Sequence, residues 1–301
     1  MEIKLSVVIL NYNTRELLKA CLSSVEKAVK ELKGCEVIMV DNASRDGSAE
    51  MVKKQFPWVN AIANKENIGF AGGCNIGLLK TKGEYVLFLN SDTEVFPQAF
   101  KKITEFMDKN PAVGASTPKT LLFFGGMDPD CHRGFPTPWA SVCYFLGLEN
   151  LFPKSRLFGQ YHKFYLDLNK THEIDAGFGT FMCVRKTALQ KAGKWDEQYF
   201  FYGEDLDLFY RIKKAGFKIM FYHEPLLVHH KGASSGLRRE SKDVTRVDKE
   251  TRNKVAKASV KAMEIFYRKF YKDKYPFYVT WAVILGIKAK GLLRILYHRL
   301  K

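Results

Sequence analysis

Three polar residues, Asn90, Ser91 and Asp92, directly follow the largely apolar run of residues 84–89. The run predicts a buried strand, which would place these side chains at its carboxyl end. A carboxylate there can hold a divalent cation against a diphosphate, because Mg²⁺ prefers one or two carboxylates together with phosphate oxygens. The motif would also suit a helix N-cap ahead of Pro97, so by itself it leaves both interpretations open.

Two further groups of polar side chains follow predicted strands in the same way. Asn11 and Asn13 come after the apolar run 5–10, and Asp41 follows the strand predicted at 36–40. An acid at a strand end can accept hydrogen bonds from a nucleobase or a ribose. Asp41 also begins a stretch with good turn chemistry, so a purely structural role is the alternative. Because parallel sheets bind ligands beyond the carboxyl ends of their strands, the three groups predict one cleft.

The glycine-rich segment 67–77 would let the backbone approach a ligand closely. Its pattern is neither GxGxxG nor a Walker motif, and it does not follow the first strand. These two features argue against a dinucleotide-binding Rossmann domain and against a P-loop nucleoside triphosphatase. The residues of interest in this segment are Asn67, Gly69, Phe70, Gly73 and Asn75.

Acids concentrate at the predicted start of a later helix, at Glu204, Asp205 and Asp207. Acids at that place suit the helix dipole, which would explain them without any chemistry. Asp207 lies four residues before Arg211, a spacing that predicts a structural ion pair. Glu204 and Asp205 have no such partner in the sequence, and a carboxylate beside a cleft can act as a general base.

Histidines follow a short strand predicted at residues 226–229. A neutral imidazole at a strand end is a common metal ligand, which makes His229 a candidate. An ordinary pair of surface histidines, His229 and His230, is the alternative. We interpret His223 as structural.

The elements that position these groups alternate between strand and helix over residues 5–117. This alternation predicts an α/β fold, with a mostly parallel central sheet and helices on both faces. Residues 118–172 lose the pattern and are rich in Gly, Pro and aromatic residues, which indicates a variable excursion beside the cleft. Regular structure resumes at 180–185, and two more strands are predicted at 217–222 and 226–229.

The composition is that of a globular protein, with 46% hydrophobic and 27% charged residues in a chain of 301. It excludes collagen-like and fully disordered classes. Six cysteines without a CxxC pair argue against a zinc ribbon and predict buried, reduced thiols. The N-terminal run lacks the flanks of a signal peptide. The longest apolar run, 277–287, is shorter than the stretch of about 20 residues that spans a bilayer.

The net charge of +16 is unevenly distributed. Residues 231–301 contain 19 basic and 6 acidic side chains and therefore carry +13 of it. A basic segment of this kind is attracted to polyanions such as an anionic membrane surface or nucleic acid.

In this order and combination, the motifs resemble those of glycosyltransferase family 2, and most closely its rhamnosyltransferase-like branch. The earlier motifs resemble the family's nucleotide-sugar half, and the later ones its acceptor half and closing metal-ligand segment. The resemblance covers roughly residues 4–236, and the matching stretches are 7–13, 40–48, 67–75, 89–92, 192–207 and 229–235.

The resemblance implies a GT-A fold with a Rossmann-like sheet, and an enzyme that transfers a sugar from a nucleotide diphosphate with inversion. It implies that Asp205 is the base that deprotonates the acceptor hydroxyl, with Glu204 orienting the acceptor or the base. Asp92 and His229 would bind Mn²⁺ or Mg²⁺. The family's DXD motif begins here with Asn90, which leaves open whether the metal is strictly required. Contacts with the nucleotide sugar would come from Asn11, Asn13, Asp41, Asn67, Gly69, Phe70, Gly73, Asn75, Asn90 and Ser91.

The expected donor is a pyrimidine nucleotide sugar, with dTDP-rhamnose first and a UDP-sugar as the alternative. The expected acceptor is a saccharide or a lipid-linked glycan in cell-envelope polysaccharide synthesis. The other classes considered are a nucleotidyltransferase, a non-catalytic homologue and a nucleic-acid-binding protein. No nucleic-acid-binding module is recognisable, so nucleic acid is not expected as a partner. The sequence does not determine the sugar, the acceptor or the oligomeric state.

The predicted organisation is a catalytic domain over residues 1–240, followed by a basic amphipathic helical tail over 241–301. The catalytic domain would divide into a nucleotide-sugar half, 1–117, and an acceptor half, 118–240. We interpret residues 242–301 as a peripheral anchor on an anionic membrane surface. This would place the protein in the cytoplasm, either free or bound peripherally to the inner face of the cytoplasmic membrane. A helical subdomain packed on the catalytic domain is the alternative.

Overall fold

The protein is described here by a computed structural model over residues 2–232 and 249–299. Its strands are β1 (Leu5–Asn11), β2 (Cys35–Asp41), β3 (Asn60–Ala63), β4 (Tyr85–Asn90), β5 (Thr93–Val95), β6 (Val113–Leu122), β7 (His172–Ile174), β8 (Phe181–Arg185) and β9 (Lys218–His229). Its α-helices are α1 (Arg15–Lys30), α2 (Ser48–Gln55), α3 (Gly69–Leu78), α4 (Ala99–Lys109), α5 (Pro138–Phe145), α6 (Leu148–Leu151), α7 (Lys186–Ala192), α8 (Glu204–Lys214), α9 (Lys249–Phe270) and α10 (Phe277–Arg299).

The described strands form one mixed sheet in the order β3-β2-β1-β4-β8-β6-β9-β5, with β7 also paired to β9. The strands β3, β2, β1 and β4 run parallel, and β8 is antiparallel to both of its neighbours. The predicted α/β sheet with a parallel nucleotide-side half is therefore present.

Helices cover both faces of this sheet, as the continuous apolar runs of β1 and β4 predict. Side chains alternate along a strand, so Val7 and Ile9 pack in one core with α1 and α4. Val8 and Phe88 point to the opposite face and pack in a second core with α3 and α8.

The glycine-rich segment begins the helix α3 at Gly69. Its glycines let the helix lie close against the sheet. A Cβ atom on Gly73 would stand 2.3 Å from Leu10 Cδ1, and one on Gly77 would stand 2.4 Å from Val8 Cγ1. These two glycines therefore serve packing between helix and sheet.

The prediction of two separate strands at 217–222 and 226–229 is wrong, because β9 is continuous over Lys218–His229. Pro225 is accommodated where the register between β6 and β9 shifts. On the other side of β9, β7 pairs only with residues 219–221 and β5 only with residues 227–229, which leaves Pro225 between the two ladders.

The region 118–172 is more regular than the sequence predicts. It contains the end of β6, the helices α5 and α6, and the first residue of β7, which joins the sheet. All six thiols are free, and the prediction that they are buried holds for every cysteine except Cys35, which is half-buried.

The two helices of the C-terminal region differ in their packing. Phe266, Tyr267 and Tyr271 of α9 and its following turn are buried together with Tyr199. Lys269 Nζ also donates to Asp207 Oδ2 over 2.7 Å. The apolar face of α9 is therefore covered by the catalytic part, which agrees with the alternative of a packed helical subdomain.

No helix within the described residues is long and apolar enough to cross a membrane. The predicted domain boundary at residue 240 lies outside the described residues, as does the end of the 229–235 motif.

Candidate active site

The carboxyl ends of β1, β2 and β4 meet at one edge of the sheet, with Asn11 opposite Asp41. Asn11 Nδ2 donates to Asp41 Oδ1 over 2.8 Å, and the backbone N–H of Ser44 donates to Asp41 Oδ2 over 2.8 Å. The buried carboxylate of Asp41 thus holds the turn after β2. Its contact with a nucleobase stays a prediction.

A cavity of about 1580 Å³ lies beyond this edge. Ordinary ligand pockets measure about 300–1,000 Å³, so this cavity has room for two substrates. Among its lining residues are the predicted site residues Asn67, Gly69, Phe70, Asn90, Ser91, Asp92, Glu204, Asp205 and His229.

Five predicted site residues do not line the cavity: Asn11, Asn13, Asp41, Gly73 and Asn75. Asn75, for example, exchanges hydrogen bonds of 3.0 Å with the backbone of Trp195, which ties α3 to the segment before α8.

Asn42 lines the cavity although it is not one of the predicted site residues. Its Nδ2 donates to Asn67 Oδ1 and to the carbonyl of Gly69, each over 3.0 Å. Asn42 therefore connects the turn after β2 to the start of α3. Its position directly after Asp41 was the available signal.

Asp92 and His229 form one corner of the cavity, where Asp92 Oδ1 lies 3.5 Å from His229 Nε2. Their proximity follows from the pairing of β5 with β9, which sets Thr93 opposite His229. The other ring nitrogen, His229 Nδ1, lies 2.9 Å from Asp128 Oδ2. Lys231 Nζ in turn contacts the carboxylates of Asp128 and Asp130.

The opposite charges of this corner shift the pKa values of its residues. Burial lowers the pKa of His229, but the carboxylates of Asp92 and Asp128 outweigh it and raise that pKa to about 9. Burial raises the pKa of Asp128, but the hydrogen bond with His229 and the charge of Lys231 leave it below its usual range. Without a metal ion, His229 is thus an imidazolium between two carboxylates at neutral pH, and it would release the proton of Nε2 when that nitrogen binds a metal.

The corner fits a divalent metal ion. Two ligand atoms about 2.1 Å from one ion can be at most about 4.2 Å apart, so the separation of 3.5 Å allows Asp92 and His229 to share one. No group of three or more metal-ligating side chains occurs within the described residues. Further ligands would therefore come from substrate oxygens or water, as is usual for Mg²⁺.

The first turn of α8 brings Glu204 and Asp205 to the cavity. Arg133 Nη2 donates to Asp205 Oδ2 over 2.7 Å, and the backbone N–H of Leu206 donates to Asp205 Oδ1 over 2.7 Å. The predicted ion pair between Asp207 and Arg211 is confirmed, at 2.5 Å. Asp205 is therefore an oriented, charge-paired carboxylate.

Glu204 has a different environment. It is buried, and its Oε2 has no hydrogen-bond partner within the described residues. Burial, and then the charge of Asp205, raises the pKa of Glu204 to about 8. At neutral pH Glu204 is therefore mostly protonated, beside the Asp205 carboxylate that is paired with Arg133.

Residues 6–192 match the family model described as Glycosyl transferase family 2, which is more than half of the chain. The chain belongs to glycosyltransferase family 2. Membership confirms the family resemblance and the assignment as a glycosyltransferase.

Two curated proteins are similar to this family 2 glycosyltransferase. It is 25% identical over 245 residues to an N-acetylglucosaminyl-diphospho-decaprenol L-rhamnosyltransferase of Mycobacterium tuberculosis, covering 77% of this chain and 78% of that protein. It is 28% identical over 168 residues to a poly(ribitol-phosphate) beta-glucosyltransferase of Bacillus spizizenii, covering 51% of this chain and 26% of that protein.

The crystal structure of residues 1–349 of TarS from S. aureus is similar in fold. Its TM-score is 0.55 at 15% identity, covering 96% of this chain and 81% of that chain. Together with family membership, this similarity confirms the GT-A fold.

The sequence analysis of this glycosyltransferase missed Arg133 and Asp128. Both lie within 118–172, where no motif of the family could be placed. The available signal was local: Asp128, Asp130 and Arg133 are charged residues within a stretch otherwise rich in Gly, Pro and aromatic side chains.

Proposed function

We propose that the protein is an inverting, metal-dependent glycosyltransferase that moves a sugar from a pyrimidine nucleoside diphosphate to a saccharide acceptor. The observation that carries this proposal is the content of one cavity: the metal-fitting pair Asp92 and His229, and the oriented carboxylate Asp205. Cell-envelope polysaccharide synthesis is the proposed context.

In the proposed reaction, Asp205 accepts the proton of the acceptor hydroxyl. The acceptor oxygen then forms a bond to the anomeric carbon while the bond from that carbon to the diphosphate oxygen breaks. The electron pair leaves with the nucleoside diphosphate. One base and no covalent intermediate are needed, whereas retention requires a second carboxylate as nucleophile.

Asp92 and His229 would hold Mn²⁺ or Mg²⁺, and the bound ion would neutralise charge on the leaving diphosphate. Arg133 fixes the direction in which Asp205 presents its carboxylate. Glu204, neutral at pH 7, can donate a hydrogen bond into the cavity and so orient the acceptor. Asp92 and His229 would therefore act on the leaving group. Arg133 and Glu204 would act on the side of the nucleophile, through Asp205 and the acceptor.

For the donor, we propose dTDP-rhamnose first and a UDP-sugar as the alternative. The name of the Mycobacterium tuberculosis relative supports rhamnose as the sugar and a lipid-linked saccharide as the acceptor. The UDP alternative is supported by a structure of TarS in complex with UDP, which has a TM-score of 0.52 to this chain at 17% identity.

The first test is thermal unfolding of the full chain with UDP, dTDP, GDP or CMP, each with Mn²⁺ and with EDTA. A ligand at a hundredfold excess over its Kd stabilises the native state by about 2.7 kcal/mol. We expect a Mn²⁺-dependent rise in Tm with dTDP or UDP, followed by sugar transfer in an assay with the matching donor. Absence of any shift would contradict the proposal. Release of pyrophosphate from a nucleoside triphosphate would indicate a nucleotidyltransferase.

A further inference from the structure

Helix α10 is apolar on two faces. Tyr278, Val283 and Ile287 line the cavity. Phe277, Trp281, Leu285 and Leu292 do not line it and recur along the other face every four to seven residues. Phe277 is 86% exposed and Trp281 69% exposed. A helix that is apolar on an exposed face calls for a further partner.

Helix α5 of the catalytic part approaches α10 from the cavity side and adds exposed apolar side chains beside it. Lys290 Nζ lies 3.7 Å from the ring centroid of Phe145, so the last turn of α5 adjoins α10. Val142, Phe145 and Leu146 are also exposed. The apolar rim is the surface formed by Val142, Phe145, Leu146, Phe277, Trp281 and Leu285.

The two segments that form the rim are rich in basic residues and poor in acidic residues in their sequence. Helix α10 contains two lysines and two arginines in its sequence and no acid. In residues 138–157 the only acid is Glu149, which is buried and bonded to His162. Apolar and aromatic side chains flanked by cations are typical of helices that lie in the interface of an anionic bilayer.

The apolar face of α9, in contrast, already has a partner. Its aromatic side chains pack on the catalytic part, and Lys269 is paired with Asp196 and Asp207. Of the two C-terminal helices, α10 is therefore the one with an apolar face left for a surface outside the chain.

We propose that the apolar rim docks onto an anionic phospholipid surface and places the cavity beside it. Because α10 contacts the lipid with one face and lines the cavity with the other, a lipid-linked acceptor would reach Asp205 from the membrane. The second statement rests on the proposed function. Docking itself depends only on the rim.

The test is flotation of the full chain with vesicles of equal parts phosphatidylcholine and phosphatidylglycerol, compared with phosphatidylcholine alone. The variant combines Trp281→Glu with Leu285→Glu, two positions outside the cavity lining. The control is Leu79→Glu, at an 82% exposed position outside the rim. We expect wild type and control to float with the anionic vesicles, and the double variant to bind at least about tenfold more weakly.

A second measurement locates the contact. Vesicles containing brominated phosphatidylcholine should quench tryptophan fluorescence, and Trp281→Phe should remove much more of the quenched signal than Trp58→Phe. Trp58 is the matched control, because it is 40% exposed and outside the rim. Equal quenching in both variants would overturn the proposal.

Two other outcomes are informative. Vesicle binding by the double variant at the wild-type level would also overturn the proposal. So would a dimer that the double variant loses by light scattering while neither protein binds vesicles, since the rim would then join two copies of the chain. Nucleotide-dependent thermal shifts in the same samples report on the donor site, so a failure of the proposed function is seen separately.

Discussion

Arg133 Nη2 lies 2.7 Å from Asp205 Oδ2 and joins two regions that are 72 residues apart in the chain. The guanidinium is buried, and its Nε also donates to the carbonyl of Gly177 over 3.0 Å. Since Arg133 is held from two sides, it fixes the orientation of the Asp205 carboxylate at the cavity. The ion pair thus holds the carboxylate in the orientation in which it would accept a proton from a group in the cavity.

Replacing Asp205 tests the proposed base. We expect Asp205→Asn to lower kcat by about 10²–10⁴-fold, because the amide cannot take the acceptor proton. The Tm shift with dTDP or UDP and Mn²⁺ should be unchanged. Asp167→Asn is the control, since its carboxylate is 50% exposed and outside the cavity lining. An unchanged kcat in Asp205→Asn would rule out the base assignment.

Replacing Asp92 tests the metal corner. Asp92→Ala should remove the difference between the nucleotide Tm shifts measured with Mn²⁺ and with EDTA, because the corner loses its only lining carboxylate next to His229. Glu94→Ala is a matched control, because Glu94 is bonded to His230 at 2.8 Å and not to His229. Full metal dependence in Asp92→Ala would place the ion elsewhere.

Asp128 should act on the metal through His229. It is fully buried and bonded to His229 Nδ1, which leaves Nε2 directed at Asp92. Loss of such a supporting carboxylate typically weakens metal affinity by about 10–100-fold. We expect this range for Asp128→Ala and a smaller loss for Asp128→Asn, which keeps a carbonyl acceptor.

The affinity of the Asp128 variants for Mn²⁺ is measured by titration with Mn²⁺, monitored by electron paramagnetic resonance. This measurement does not depend on turnover. Asp130→Asn is the control, because Asp130 contacts Lys231 without contacting His229. Equal Mn²⁺ affinity in Asp128→Ala and wild type would show that His229 needs no such support.

Glu204 should make stability depend on pH. Its pKa is about 8 in the folded protein against an ordinary value of 4.5, so between these values the folded state binds the extra proton. The free energy of unfolding therefore falls as pH rises through this window and levels off above it. Glu204→Gln lacks this group and should lose less stability between about pH 5 and about pH 9. Parallel urea-unfolding curves for both proteins across that range would contradict the burial of a neutral Glu204.

Much of the fold could be predicted because its signals are local. The apolar runs of β1 and β4 predict buried parallel strands, and their polar ends predict one cleft. Asp92, Asp205 and His229 each stand in a short motif, so residue type and neighbours were enough to single them out. The structure then brings these three to one cavity.

The contacts made by these residues depend on pairing between distant segments. Asp128 approaches His229 because β6 and β9 run side by side, with Leu122 opposite His229, and because the backbone N–H of Asp128 bonds back to Thr120. Arg133 reaches Asp205 across a loop with no recognisable motif. Neither contact can be predicted from the pattern of residues along the sequence.

For the C-terminal helices, too, the sequence and the tertiary structure determine different properties. Sequence alone determined that the segment is basic, helical and apolar in part, because charge and periodicity are properties of the linear order. Only the tertiary structure decided that α9 is covered and that α10 leaves an apolar face exposed. An amphipathic pattern shows that a helix needs an apolar partner. Which partner it has depends on the surfaces that the folded chain brings close to it.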